Sequence, residues 1–271
     1  MKDFKRNPKL YLDTVKQILV NGENVPSLPA LVGQLQHNLN DISFQQLDDT
    51  LQQDPNLTAV VLKTANSALY KRPVPISSLQ DGIATLGLST VKSLLVAHQL
   101  KGLFKIQDSK LTEHLKERWI RTQRFAACCK KLAGLLDMDT ETIYLSALLS
   151  DLGSGLIAQE FTRFQRKEDP PLFNWIADHY AHLISAHLIS AHLLQRWKFD
   201  ESVWFSIKKK GQWNYKSRLT IESVDILNMC WLHVLNDEST PELQDIPRFW
   251  NIPASIRLLA SPRQFFLLKD Y

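Results

Sequence analysis

Apolar residues recur three and four positions apart through most of this 271-residue chain, and that spacing restricts it to helices. A strand needs alternation with a period of two. Strict alternation is scarce here, and 9 glycines supply little of the turn chemistry that a multi-stranded sheet requires. An all-α fold is the expectation. From Leu111 to Leu136, the positions Leu115, Trp119, Thr122, Ala126, Cys129, Leu132 and Leu136 keep one face inward for about seven turns at 3.6 residues each, which predicts a central helix. Leu145 to Ala158 is apolar on nearly every side and predicts a helix enclosed by others. A second long helix is expected over Asn174 to Trp197. Further helices are expected at Glu201 to Lys210, Leu219 to Leu235 and Ala254 to Lys269, separated by Gly211, Pro241 and Pro253.

Helix starts are marked in the first third of the chain. Ser43-Phe44-Gln45-Gln46 has the spacing of a capping box, and Ser77-Ser78-Leu79-Gln80 repeats it. Asp54-Pro55 opens a helix with proline where the first turn accepts it; Leu57, Val60, Val61 and Thr64 form its apolar stripe, and the helix is expected to run to about Tyr70. Each proline in Lys71-Arg72-Pro73-Val74-Pro75 pushes its predecessor out of the helical region, so an extended loop follows. No low-complexity linker interrupts the chain. A division near residues 102–110 is read as a change of bundle, giving an N-terminal bundle over 1–105, a second helical part over 106–213 and a C-terminal extension over 214–271.

Composition excludes several functions. A hydrophobic content of 44% suits a packed interior, so disorder is not expected. The formal net charge of +4 is too small and too dispersed to mark a nucleic-acid-binding protein. The opening Met1-Lys2-Asp3-Phe4-Lys5-Arg6-Asn7-Pro8 has no apolar run behind its cations, and no later segment is long and uncharged enough to cross a membrane. Three cysteines, two of them adjacent as Cys128-Cys129, offer neither a disulfide framework nor a zinc-binding Cys-x-x-Cys, which fits a reducing cytoplasm.

Several segments occur together in a telling order: Leu28-Pro29-Ala30-Leu31, Gln53-Asp54-Pro55-Asn56-Leu57-Thr58, Leu62-Lys63-Thr64-Ala65-Asn66-Ser67-Ala68-Leu69-Tyr70, and the stretch from Ile76 to Leu88 with its glycine turn. Trp119 with Ala126, Ala127, Leu132 and Ala133 follows, and then Leu148-Leu149-Ser150-Asp151-Leu152-Gly153. Over roughly residues 20 to 213 the chain resembles the HDOD family, the HD-related output domain of bacterial signalling proteins. The resemblance implies an N-terminal helical bundle packed on a part related to HD phosphohydrolases. It also implies a regulatory role, with input and output carried by other signalling proteins.

An HD phosphohydrolase uses imidazoles and carboxylates to hold divalent metal, which polarises a phosphate and generates hydroxide. By the resemblance, the histidine of the HD pair is replaced by Ser150, an upstream histidine by Arg121, and paired downstream histidines by Lys209 and Lys210; Ala186, beside His187, stands near another. Asp151 alone survives. The expectation is a degenerate site in which Arg121, Lys209 and Lys210 gather around Asp151 in place of a metal; the alternative is that Asp151 bonds local backbone while the lysines are solvated.

Other candidates have plainer readings. His182, His187 and His192 recur five apart, so successive members are rotated by about 140° and cannot share an ion. Asp178, His179 and His182 share a helical face and form a weak candidate metal set. Ser154 between Gly153 and Gly155 resembles a glycine-flanked nucleophile, but small residues for close helix packing explain it better. Lys208 to Lys210 with Trp204, Trp213, Tyr215, Lys216 and Arg218 is a basic, aromatic stretch, better read as a solvated helix end than as a nucleic-acid surface. Asn66 and Ser67 are expected to satisfy terminal backbone groups. Phe265, Phe266 and Tyr271 form either a packed helix or a docking strip. The function expected is a non-catalytic, cytoplasmic regulator or scaffold, without cofactor, acting through signalling proteins or a small anionic ligand in the vestigial cleft. The alternative is a divergent metal-dependent phosphohydrolase acting on nucleotides or phosphodiesters.

Overall fold

A computed structural model describes residues 25–30, 32–33, 44–52, 55–67, 70, 73–106, 109–164, 186–212 and 221–235. The described regular elements are helices: α1 (Phe44–Gln52), α2 (Pro55–Ala65), α3 (Leu79–Leu86), α4 (Leu88–Gly102), α5 (Ser109–Leu135), α6 (Thr140–Leu149), α7 (Leu152–Phe164), α8 (Ala186–Arg196), α9 (Glu201–Lys209) and α10 (Ser223–Leu235). The all-α expectation holds. No helix among them is long and apolar enough to cross a membrane. Residues 174–185, the expected helix over 254–269, Ser43, Phe265, Phe266 and Tyr271 lie outside the described residues.

Proline opens α2 as expected, but the helix ends at Ala65 rather than near Tyr70. The reason is Asn66. Its amide Nδ2 donates to Leu62 O at 2.9 Å and to Ile76 O at 2.7 Å, and its Oδ1 accepts from Ile76 N at 2.8 Å. One side chain therefore closes the helix and clamps the proline loop against it. The cap of α3 is shifted by one residue from expectation: Ser78, not Ser77, accepts from Asp81 N at 3.0 Å. Gln80 instead points towards Asp48 of α1, 3.3 Å away. Gly87 ends α3 with φ +81, a backbone region that L side chains rarely adopt, and lets α4 begin at once.

α5 and α6 pack along each other, and α6 is also covered by α4, α9 and α10. This enclosure explains the composition of α6, whose residues Ile143 to Leu149 are all buried. Asp139 caps it, accepting from Glu141 N and Thr142 N at 3.1 Å. The expected continuous helix over 145–158 is broken: α6 stops at Leu149 and α7 starts at Leu152. Apolarity on every side reports burial and not continuity. The elbow Ser150-Asp151 is the place where the site forms.

Candidate functional site

The α6–α7 elbow is locked from α8. Ser190 is fully buried, and its hydroxyl accepts from Gly153 N at 2.8 Å while lying 3.0 Å from Ser150 O. A Cβ on Gly153 would stand 2.2 Å from Ala186 O, so glycine is what allows α7 and α8 to touch. Gly155 serves a second neighbour, because its missing Cβ leaves room for the Phe104 ring. The small residues flanking Ser154 are therefore packing devices, as expected. Ser154 itself donates to Asp151 Oδ1 at 2.7 Å.

Asp151 projects from the elbow to α5. Arg118 Nε donates to its Oδ2 at 3.0 Å and Arg118 Nη2 to its Oδ1 at 2.5 Å, a bidentate pair with side chains 24% and 19% exposed. The expectation that Arg121 supplies this cation is corrected: Arg121 is exposed, and Arg118, almost one turn earlier, holds the carboxylate. Burial raises the carboxyl pKa, but the Arg118 charge and its hydrogen bonds, the Ser154 hydroxyl and the Lys210 charge outweigh it and hold Asp151 below its usual value.

Lys210 arrives from the C-terminal end of α9. It is 3% exposed, which corrects the expectation of a solvated basic helix end. Its Nζ lies 3.4 Å from Ser150 Oγ and 3.4 Å from the centroid of the Trp231 ring, with Phe125 at 4.9 Å. Gly211, with φ +82, turns the chain immediately afterwards, and its N–H donates to Asn228 Oδ1 of α10 at 2.8 Å. Burial pushes the Lys210 ammonium down to about 7, against the pull of Asp151. Lys209 is half-buried, and Lys208 is exposed over Trp204 at 5.8 Å. Trp213, Tyr215, Lys216 and Arg218 lie outside the described residues.

His187, rather than Ala186, brings an imidazole into the field of this cluster; the Ala186 carbonyl faces Gly153 instead. Burial and the Lys210 charge push His187 down to about 3, so it is neutral near pH 7. His192 is half-buried elsewhere on α8, consistent with histidines that do not converge. Asp178, His179 and His182 lie outside the described residues. Among the described residues no group of three or more histidine, cysteine, aspartate or glutamate side chains could hold a metal ion. The donor set at the elbow does not fit one: both Asp151 oxygens are engaged, and Lys210 adds positive charge where a cation would sit.

Two features had no signal in the sequence. Cys128, Cys129 and Cys230 meet between α5 and α10, with Cys128 and Cys230 sulfurs 3.3 Å apart. The second is a cavity of about 200 Å³ beside Asp151, lined by the end of α4, residues 104 and 106, and faces of α5, α6 and α7.

The HDOD domain family profile matches residues 25–212. Among solved structures, a provisionally assigned metal-dependent phosphohydrolase from Shewanella amazonensis SB2B is 16% identical with a TM-score of 0.68, covering 98% of this chain and 94% of that one. An HDOD domain protein of unknown function from Geobacter sulfurreducens is 19% identical with a TM-score of 0.64, over 96% and 93% of the two chains. A provisionally assigned signal transduction protein from Marinobacter aquaeolei VT8 is 18% identical with a TM-score of 0.65, covering 97% of this chain and 64% of that one. At these identities the likeness is one of fold. No curated protein matches the chain.

Proposed function

Because the chain belongs to the HDOD domain family, we propose that it is a non-catalytic regulator or scaffold in bacterial signal transduction, working through protein partners in the cytoplasm. The observation that carries this is the Arg118–Asp151 pair. A hydrolytic metal centre needs carboxylate lone pairs and open coordination positions. Asp151 has committed its oxygens to a guanidinium and a serine hydroxyl, and the buried Lys210 amine adds positive charge to the same field when protonated. The helices around the elbow share one hydrophobic core and form a packed unit. A regulator needs such a unit, because a partner's binding energy must act on a body that moves as a whole.

The test is elemental mass spectrometry on protein purified without a histidine tag, together with nucleotide and phosphodiester hydrolysis with and without chelator. We expect less than about a tenth of an equivalent of divalent metal and no chelator-sensitive hydrolysis. A full equivalent with hydrolysis that chelator abolishes would establish the divergent phosphohydrolase instead.

A further inference from the structure

The cleft beside Asp151 carries more positive charge than its own carboxylate uses. Arg118 and Asp151 cancel each other. Lys101, at the end of α4, and Lys116, one turn before Trp119 on α5, both line the cavity, and neither forms an ion pair with a described carboxylate. Lys101 is half-buried with its Nζ 4.0 Å from the centroid of the Trp119 ring. A half-buried ammonium held over an aromatic face has lost part of its hydration; the cation–π contact and the longer-range pull of Asp151 do not make up for that loss. An anion placed beside it would restore what was lost.

Most of the remaining wall is apolar: Phe104, Leu115, Trp119 and Leu152 bound the same space, with Thr112, Thr122 and Asp151 as its polar members. Aromatic and aliphatic side chains around a few convergent charges are the usual composition of a small-molecule site. At protein-like packing the volume admits about a dozen non-hydrogen atoms, the size of a fused two-ring carboxylate and too small for a base, sugar and phosphate together. We propose that this cleft binds a small organic anion, a single carboxylate on a flat apolar body, with its head group at Lys101 and its body against Trp119 and Phe104. The proposal rests on the reading above that Asp151 is held by Arg118 and not by a metal. It assigns the chemistry of the signal: a hydrophobic carboxylate entering at the junction of α4, α5 and α7 would contact α7 and the two helices, α4 and α5, that each pack on it.

Isothermal titration of the full chain with 2-naphthoate, and with neutral 2-naphthamide as control, tests it on a preparation of measured metal content. Naphthoate is expected to bind and to weaken on the order of tenfold or more in Lys101→Met, with naphthamide indifferent to that change. Gly155→Ala, which pushes the Phe104 ring from its seat, should weaken both ligands; circular dichroism establishes that each variant is folded. If neither compound binds metal-free wild-type protein, or if naphthoate binds it and Lys101→Met equally, the ligand site is overturned while the regulatory reading stands. Naphthoate binding that requires a bound metal, and disappears with chelator, would overturn the reading beneath it.

Discussion

Removing Arg118 while keeping its bulk is the sharpest perturbation of the elbow. Arg118→Met deletes two charge-assisted hydrogen bonds to Asp151, each contributing about 1.5–3 kcal/mol in favourable settings. Both side chains are roughly one-fifth exposed, so water recovers part of the loss, and Ser154 continues to donate to Oδ1. A net destabilisation of about 2–4 kcal/mol remains, most of it the cost of a carboxylate left uncompensated. For a chain of this size that lowers the melting temperature by roughly 5–10 °C. Thermal melting followed by circular dichroism at pH 7 measures it. Arg121→Met, on an exposed position, should stay within about 0.5 kcal/mol of wild type. Adding Asp151→Asn to Arg118→Met removes the stranded charge and should recover roughly half the loss, the mark of a coupled pair. The folded pKa of Asp151 lies below its unfolded value, so its contribution is present above about pH 4 and is lost as pH falls through the folded pKa. The wild-type advantage should accordingly shrink in acid. An Arg118→Met melt within about 1 °C of wild type, or no recovery in the double variant, would refute the reasoning.

Lys210 predicts a rise in stability with pH as well, but in an alkaline window and for a different reason. With a folded pKa of about 7 and an unfolded one near that of free lysine, the unfolded chain binds the extra proton between those values, so stability rises as pH rises through that window. Urea unfolding at pH 7 and 9 should show wild type gaining about 2 kcal/mol relative to Lys210→Met, whose neutral side chain removes this titration while Asp151, Arg118 and Cys129 remain in place; a difference that does not change with pH would refute it. Gly153→Ala places a methyl group 2.2 Å from Ala186 O and 2.8 Å from Ile189 Cβ, both rigid, and should cost about 3 kcal/mol or more by the same assay. A Gly153→Ala protein as stable as wild type would mean that α7 and α8 do not approach as closely as described.

Much of this protein was legible along the chain, because local physics suffices for it. The apolar stripe from Leu115 to Leu136 reads as one helix since 3.6-residue periodicity is a property of the backbone itself, and α5 spans Ser109–Leu135. Pro55 opening α2 is local in the same way. The HDOD resemblance depended on motif order and needed no geometry.

Other features required three dimensions. Arg118 and Arg121 lie three positions apart on one helix, so their side chains diverge by only about 60°; which one meets Asp151 depends on how α5 is rotated against α6 and α7. The elbow at 150–151 was hidden because burial on all sides erases the periodicity that would have marked a break. Lys210 reads as a solvated end because a basic residue at a helix C-terminus is favoured anyway, and only the packing of α10 over it puts Trp231 on its ammonium. Sequence by itself determined the all-α class and the family, since those follow from residue identity and short-range spacing. Tertiary structure decided which charges pair, which amine is buried and where a cavity opens, because those depend on distances between residues far apart in the chain.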